Sequence, residues 1–165
     1  MNQIYISLGT NIDREKYTSS GLQAMYEAFG ELTISPVYES ESVGFNGNPF
    51  YNLVAGAKTE KSLEDVCRIL KQIERENGRE TSEKKFAPRT LDLDLLLFND
   101  IVIEQPIVLP RAEILYNAFV LLPLYDLIPD ETHPVADKTY RTLWESFDNK
   151  AQKLWEIPFQ WKKQD

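Results

Sequence analysis

The chain has 165 residues, 42% of them hydrophobic, 27% charged and 12% aromatic, enough to bury one core without staples. A formal net charge of -8, from 18 basic against 26 acidic residues, excludes a general nucleic-acid binder, because the overall field repels phosphate backbones. No apolar run nears the ~20 residues of a membrane-spanning helix, and Met1-Asn2-Gln3 lacks the basic region of a signal peptide. With Cys67 as the lone cysteine, the expectation is a cytoplasmic monomer of one domain, residues 1–165, with no membrane or nucleic-acid partner.

Alternation of Ile4, Ile6 and Leu8 predicts a first strand that stops at Gly9-Thr10-Asn11. Asp13 is placed to cap a helix running to about Phe29, although Gly21 inside it weakens the pattern. Leu32 to Tyr38 reads as a second strand and Leu53 to Ala57 as a third, joined by a loop rich in Gly and Asn. The clearest element is a helix capped by Ser62, with Leu63, Val66, Cys67, Leu70 and Ile73 forming one apolar stripe before Gly78. Cys67 on that stripe is expected to be a packed thiol. Thr90 to Phe98 predicts a strand, Asn99-Asp100 a turn, and Ile101 to Ile103 its hairpin partner. A short helix after Pro110, an apolar segment Phe119 to Leu127 and a final helix Thr139 to Phe147 complete the pattern, while Trp155 and Trp161 find no place in it. Helices scattered among hairpin-connected strands predict an α+β fold, helices packed on a mostly antiparallel sheet.

The chemistry concentrates between Arg79 and Leu95. On a strand, Asp92 and Asp94 share one face while Leu91, Leu93 and Leu95 share the other. Two neighbouring carboxylates repel unless a cation lies between them, and hard oxygen donors with open positions suit Mg²⁺ carrying phosphate. Just upstream, Arg79, Lys84, Lys85 and Arg89 supply the local cationic patch that an acidic protein needs to hold a polyphosphate. Pro88 stiffens the approach of Arg89 to the two acids. Asp-Leu-Asp is equally the pattern of a solvated strand face, and a basic loop is equally a plain surface, so the residues alone leave both readings open. No P-loop or dinucleotide fingerprint occurs. The sole histidine, His133, stands beside Pro134 and reads as a turn residue, and without a His/Cys cluster zinc chemistry is not expected.

Pro88-Arg89-Thr90-Leu91-Asp92-Leu93-Asp94-Leu95-Leu96-Leu97-Phe98 resembles the signature of the 6-hydroxymethyl-7,8-dihydropterin pyrophosphokinase family of folate biosynthesis. Collinear weaker matches run from Tyr5 to Asn11, Tyr38 to Asn52, Ile73 to Arg79 and Phe119 to Pro129. The resemblance implies a ferredoxin-like fold and transfer of pyrophosphate from ATP to the pterin hydroxymethyl group, releasing AMP. It implies that Asp92 and Asp94 hold two Mg²⁺ ions and that Arg79 and Arg89 contact phosphates. It further implies a pterin held between Phe50 and Phe119, paired by Asn52 and lined near Ser40 and Val43, with Leu95 against adenine. The partners implied are small molecules alone, ATP and the dihydropterin.

The chain departs from the family pattern at several positions. Thr81 and Ser82 replace a basic pair of the catalytic loop, Phe86-Ala87 replaces Trp-Gly, and Ser40-Glu41-Ser42 stands in the pterin loop. Arg111 follows Pro110 where the family has His, Asn117 replaces Arg, and Lys71 replaces a frequent Gln. Lys71, Lys85 and Arg111 are therefore expected to supply charge to ATP from new directions. The loop from Arg79 to Arg89 is the expected lid. A paralogue that binds a pterin or nucleotide with little turnover is the alternative to an efficient enzyme, and an interaction module on the same scaffold is a third reading.

Overall fold

The structure is a computed structural model that describes residues 1–40, 49–78, 90–148 and 152–164. Strand β1 (Asn2–Thr10) buries Ile4, Ile6 and Leu8 completely. It runs two residues past the expected stop because Gly9 and Thr10 pair with Asn52 and Tyr51. Helix α1 (Arg14–Phe29) begins after Asp13, whose left-handed backbone (φ 41°) leaves its side chain without a capping bond. Gly21 does not interrupt this helix. A Cβ there would lie 2.9 Å from Leu8 and 3.2 Å from Leu91, so the glycine lets α1 settle directly onto the sheet.

The expected second strand is two, β2 (Leu32–Ile34) and β3 (Val37–Ser40), because Pro36 has no N–H for a ladder. Ser35 bridges the break: its N–H donates to the Val54 carbonyl and its hydroxyl accepts from the Val54 N–H, both at 2.9 Å. Strand β4 (Phe50–Thr59) pairs with β1, β2 and β3. Helix α2 (Leu63–Glu76) starts at Ser62, whose Oγ accepts from the Asp65 N–H at 3.2 Å. Its core-facing residues are Val66, Leu70, Ile73 and Glu74, whereas Cys67 is half-buried at the margin of the stripe. Burial pushes the Cys67 thiol up, away from a reactive thiolate.

Strand β5 (Asp92–Phe98) lies at one sheet edge and β6 (Leu154–Ile157) at the other, in the order β5-β1-β4-β3-β6, every pairing antiparallel. The succession β1-α1-β2/β3-β4-α2-β5 with β1 and β4 central is the ferredoxin-like arrangement. Helices α1 and α2 cover one face of the sheet. Helix α3 (Ala118–Leu127) and helix α4 (Tyr140–Glu145) form a second core on the other with Val54, Leu96 and Leu97. A register shift leaves Leu96 as an extra residue between the Ile6–Leu95 and Tyr5–Leu97 pairs. The apolar run Leu95 to Phe98 therefore feeds both cores, which is why it does not alternate.

Ile101 to Ile103 forms no strand; only Ile103 bridges to Leu109, while Ile101, Ile103 and Ile107 pack on the first core. The short helix after Pro110 is a single 3₁₀ turn, Ala112–Leu115. Of the two unplaced tryptophans, Trp155 lies on β6, and Trp161 meets Tyr26 of α1 edge to face at 6.2 Å. No helix among the described residues is long and apolar enough to cross a membrane.

Candidate functional site

The pairing registers assemble the site. Asp92 stands opposite Gly9, Gly9 opposite Asn52, and Asn52 opposite Tyr38, a row across four strands; Asp94, Ser7 and Val54 form the next row. Val54 belongs to the second core, so both rows, and with them both aspartates, lie on the sheet face that α3 covers. Leu91, Leu93 and Leu95 point to the first core, as their alternation predicts.

Asn52 is nearly enclosed (5% exposed), and its Nδ2 donates to the Ser40 hydroxyl at 3.2 Å. Gly9 makes room for it: a Cβ there would sit 3.1 Å from Asn52 Oδ1 and 4.0 Å from the Phe50 ring. Phe50 pairs with Ser40 at the same end of the sheet. Helix α3 starts at this end too, because the Ala118 N–H donates to Gln152 at 2.7 Å, two residues before the β6 residue that pairs with Ser40. Phe119, in the first turn of α3, is half-buried against the second core. Ser40, Phe50, Asn52 and Phe119 thus share one end and one face with Asp92 and Asp94. Tyr38 ties the face together: its hydroxyl donates to Asp126 of α3, and burial followed by that bond drives the phenol's pKa up.

Beside this face, a cavity of about 540 Å³ lies between α2, the outer edge of β5 and residues 107–111. Lys71, Glu74, Asp94, Leu95 and Arg111 line it, and its size falls within the range of small-ligand sites. A larger recess of about 770 Å³ lies between α1 and the C-terminal tail, lined by neither aspartate, and carries none of this chemistry. Arg111 Nη2 is 3.3 Å from Asp94 Oδ1, and its Nε donates to Glu113 at 3.1 Å.

Sequence reasoning missed Glu74. It is an acid on the apolar stripe of α2, 8% exposed, and its Oε2 accepts the Leu93 N–H at 2.8 Å. That bond satisfies an outward N–H of the edge strand midway between Asp92 and Asp94. The signal was present in the spacing, since Glu74 follows Leu70 by four residues on one helix face. Thr10 was read only as part of the turn that ends the first strand. Its hydroxyl donates to the Thr90 carbonyl at 2.5 Å, and Thr90 in turn donates to the Asn77 carbonyl at 2.6 Å, so the starts of β5 and the end of α2 are stitched together. Val43, Arg79, Lys85 and Arg89, with the expected lid, lie outside the described residues.

His133 is a turn residue, as expected. Its Nδ1 accepts from the Val135 and Ala136 N–H groups at 3.1 and 2.9 Å, and burial lowers its pKa. The described residues contain no group of three or more His, Cys, Asp or Glu able to cage a metal. Two carboxylates on one open face, beside a cation-lined cavity, fit an ion that keeps positions for phosphate oxygens rather than a closed structural site.

The chain is similar to known proteins along most of its length. Residues 5–129 match the sequence model of 7,8-dihydro-6-hydroxymethylpterin-pyrophosphokinase (HPPK). Proteins named 2-amino-4-hydroxy-6-hydroxymethyldihydropteridine pyrophosphokinase are similar along most of their length. The Aquifex aeolicus protein is 33% identical over 84% of this chain and 88% of its own. The Bacillus subtilis protein is 37% identical over 77% and 79%, respectively. Among solved structures, wild-type Plasmodium falciparum HPPK-DHPS superposes with a TM-score of 0.69 at 17% identity, covering 87% of this chain and 44% of that chain, a likeness of fold. The chain belongs to the 7,8-dihydro-6-hydroxymethylpterin-pyrophosphokinase family.

Proposed function

We propose that this protein transfers pyrophosphate from ATP to the hydroxymethyl group of 6-hydroxymethyl-7,8-dihydropterin and releases AMP, acting as a monomer on two small molecules. The observation that carries the reading is the register of β5 on β1, which puts Asp92 and Asp94 on one face, with Asp92 in the row of Gly9 and Asn52.

Asp92 and Asp94 are the residues to hold two Mg²⁺ ions, which when bound neutralise phosphate charge and polarise the transferring group. Asn52, fixed by Ser40, presents an amide that both donates and accepts, the complement of a pterin's polar edge. Phe50 and Phe119 offer aromatic faces to the ring, and Val43 belongs to the same pocket. Leu95 lies in the cavity that takes adenine, where Lys71 and Arg111 stand near the phosphates. Arg79, Lys85 and Arg89 complete the cationic set.

In the reaction the substrate hydroxyl oxygen bonds to the β-phosphorus as the bond from that phosphorus to the bridging oxygen of AMP breaks. The hydroxyl proton leaves to solvent. Rate then comes from positioning and from charge already in place, not from a strong base.

The test is AMP release from ATP and the dihydropterin with Mg²⁺, for wild type and for D92N and D94N. Wild type should release AMP and each variant should lose about 10²-fold or more of the rate, the usual size of losing one preorganised partner. AMP release from wild type no faster than from the variants would leave only the binding paralogue or the interaction module.

A further inference from the structure

Arg111 is built into the site more firmly than a surface cation. Its N–H donates to the Leu96 carbonyl at 3.0 Å, which pins its backbone to the outer edge of β5. Its Nε is held by Glu113 at 3.1 Å. Only the Nη2 end reaches Asp94, at 3.3 Å, and the side chains of both partners are about a third exposed (32% and 38%). Arg111 and Asp94 also line the same cavity as Lys71.

A guanidinium stays protonated at any working pH, so it is a permanent rival for whatever cation Asp94 holds. A divalent ion on the same carboxylate places like charges a few ångströms apart, and the guanidinium must then leave or raise the cost of binding the metal. The bond to Glu113 is to Nε, the inner nitrogen. The guanidinium is a rigid plane, so it leaves Asp94 by pivoting as a whole about the Nε–Glu113 contact, toward the cavity that it lines. A phosphate oxygen in that cavity is the anion that suits a freed fork.

We propose that Arg111 works in two positions: on Asp94 as a stand-in cation when no metal is bound, and on a nucleotide phosphate once metal takes the carboxylate. This rests on the reading of Asp92 and Asp94 as the metal-holding pair. The consequence is that bare divalent ions bind poorly, whereas metal and nucleotide together bind well, because the energy of the ion pair is exchanged for a phosphate contact. Each ligand strengthens the other, as linkage requires. Arg111 is in this sense a positioning residue that couples metal to nucleotide.

The experiment needs no turnover. Mn²⁺ binding to the full chain without nucleotide is followed by electron paramagnetic resonance, and binding of the Mg²⁺ complex of a non-hydrolysable ATP analogue by calorimetry. Replacing Arg111→Gln should tighten Mn²⁺ about 3- to 5-fold, the scale of a half-exposed ion pair, and weaken the nucleotide complex by a similar factor or more. Glu113→Gln, which frees the guanidinium to favour Asp94, should weaken Mn²⁺. A merely structural arginine would weaken both ligands on removal, so the opposite signs are diagnostic. Mn²⁺ binding that depends on Asp92 and Asp94 yet is unchanged or weakened by Arg111→Gln overturns the two-position role alone. Failure of both proteins to bind bare Mn²⁺ overturns the two-position role alone, whereas Mn²⁺ with the ATP analogue bound equally well by Asp92→Asn and Asp94→Asn variants overturns the metal reading and this inference together.

Discussion

The two faces of β5 and its approach contrast sharply. Toward α1 and α2, Leu91, Leu93 and Leu95 are at most 5% exposed and locked in the first core. Toward α3, Asp92 and Asp94 stand half-open, Asp94 beside a cavity. At these positions one face packs and the other carries the acids, yet a rotation of the strand that spoiled the first would misdirect the second. The contrast teaches that carboxylates on an exposed face are aimed by the leucines behind them and by the Glu74 carboxylate at the edge.

The sharpest way to separate the faces is Leu93→Ala. Emptying this site should cost about 2–5 kcal/mol of stability, since the surrounding core relaxes only partly. Asp94→Asn should change stability by less than about 1 kcal/mol, because the ion pair it gives up is partly exposed, while it removes most of the activity. Denaturant midpoints for the two variants make the comparison directly. Equal destabilisation would mean that the aspartate face is part of the packing.

Glu74 joins the two faces, and its replacement should show an effect next in size. Glu74→Ala leaves the Leu93 N–H without its buried acceptor and should cost about 1–3 kcal/mol, with weaker Mn²⁺ binding as β5 loses its edge restraint. Glu74→Gln keeps a carbonyl oxygen in place and should restore most of the metal affinity. If Gln is as poor as Ala, the charge of Glu74 and not its hydrogen bond holds the strand.

The same contrast explains what the sequence could disclose. Strict alternation in Ile4-Ile6-Leu8 and in Leu91-Leu93-Leu95 made β1 and β5 legible, and placed Asp92 beside Asp94, because a period of two leaves no other arrangement. The apolar run Leu95 to Phe98 hid its register shift, since residues buried on both faces show no period. Pro36 broke a strand that propensity alone ran through. Ile101 to Ile103 read as a strand because β-branched residues pack equally well as irregular chain against a core. In the site, the shared face of Asp92 and Asp94 was legible from local spacing. The Asn52–Ser40 bond, Glu74 against Leu93 and Arg111 on Asp94 join residues 12, 19 and 17 positions apart, and only the fold brings such partners together. His133 was legible as a turn residue, but its enclosure among the Val135 and Ala136 N–H groups was not.

Gly9 offers the finest test, because it touches the end of the open face proposed for the pterin and leaves alone the end proposed for the nucleotide. Its backbone needs no special torsion, so Gly9→Ala should fold normally, and the effect is steric. The new Cβ, 3.1 Å from Asn52 Oδ1, pushes that amide by a few tenths of an ångström and strains its bond to Ser40. Loss of one well-placed hydrogen bond to a ligand is worth about 1–1.5 kcal/mol, so the KM for the dihydropterin should rise about 10-fold. Lys71, Leu95 and Arg111 lie in the cavity beyond β5, so the affinity for the nucleotide should hold constant. A change in nucleotide affinity with the pterin KM unmoved would reverse the assignment of the two ends of the site.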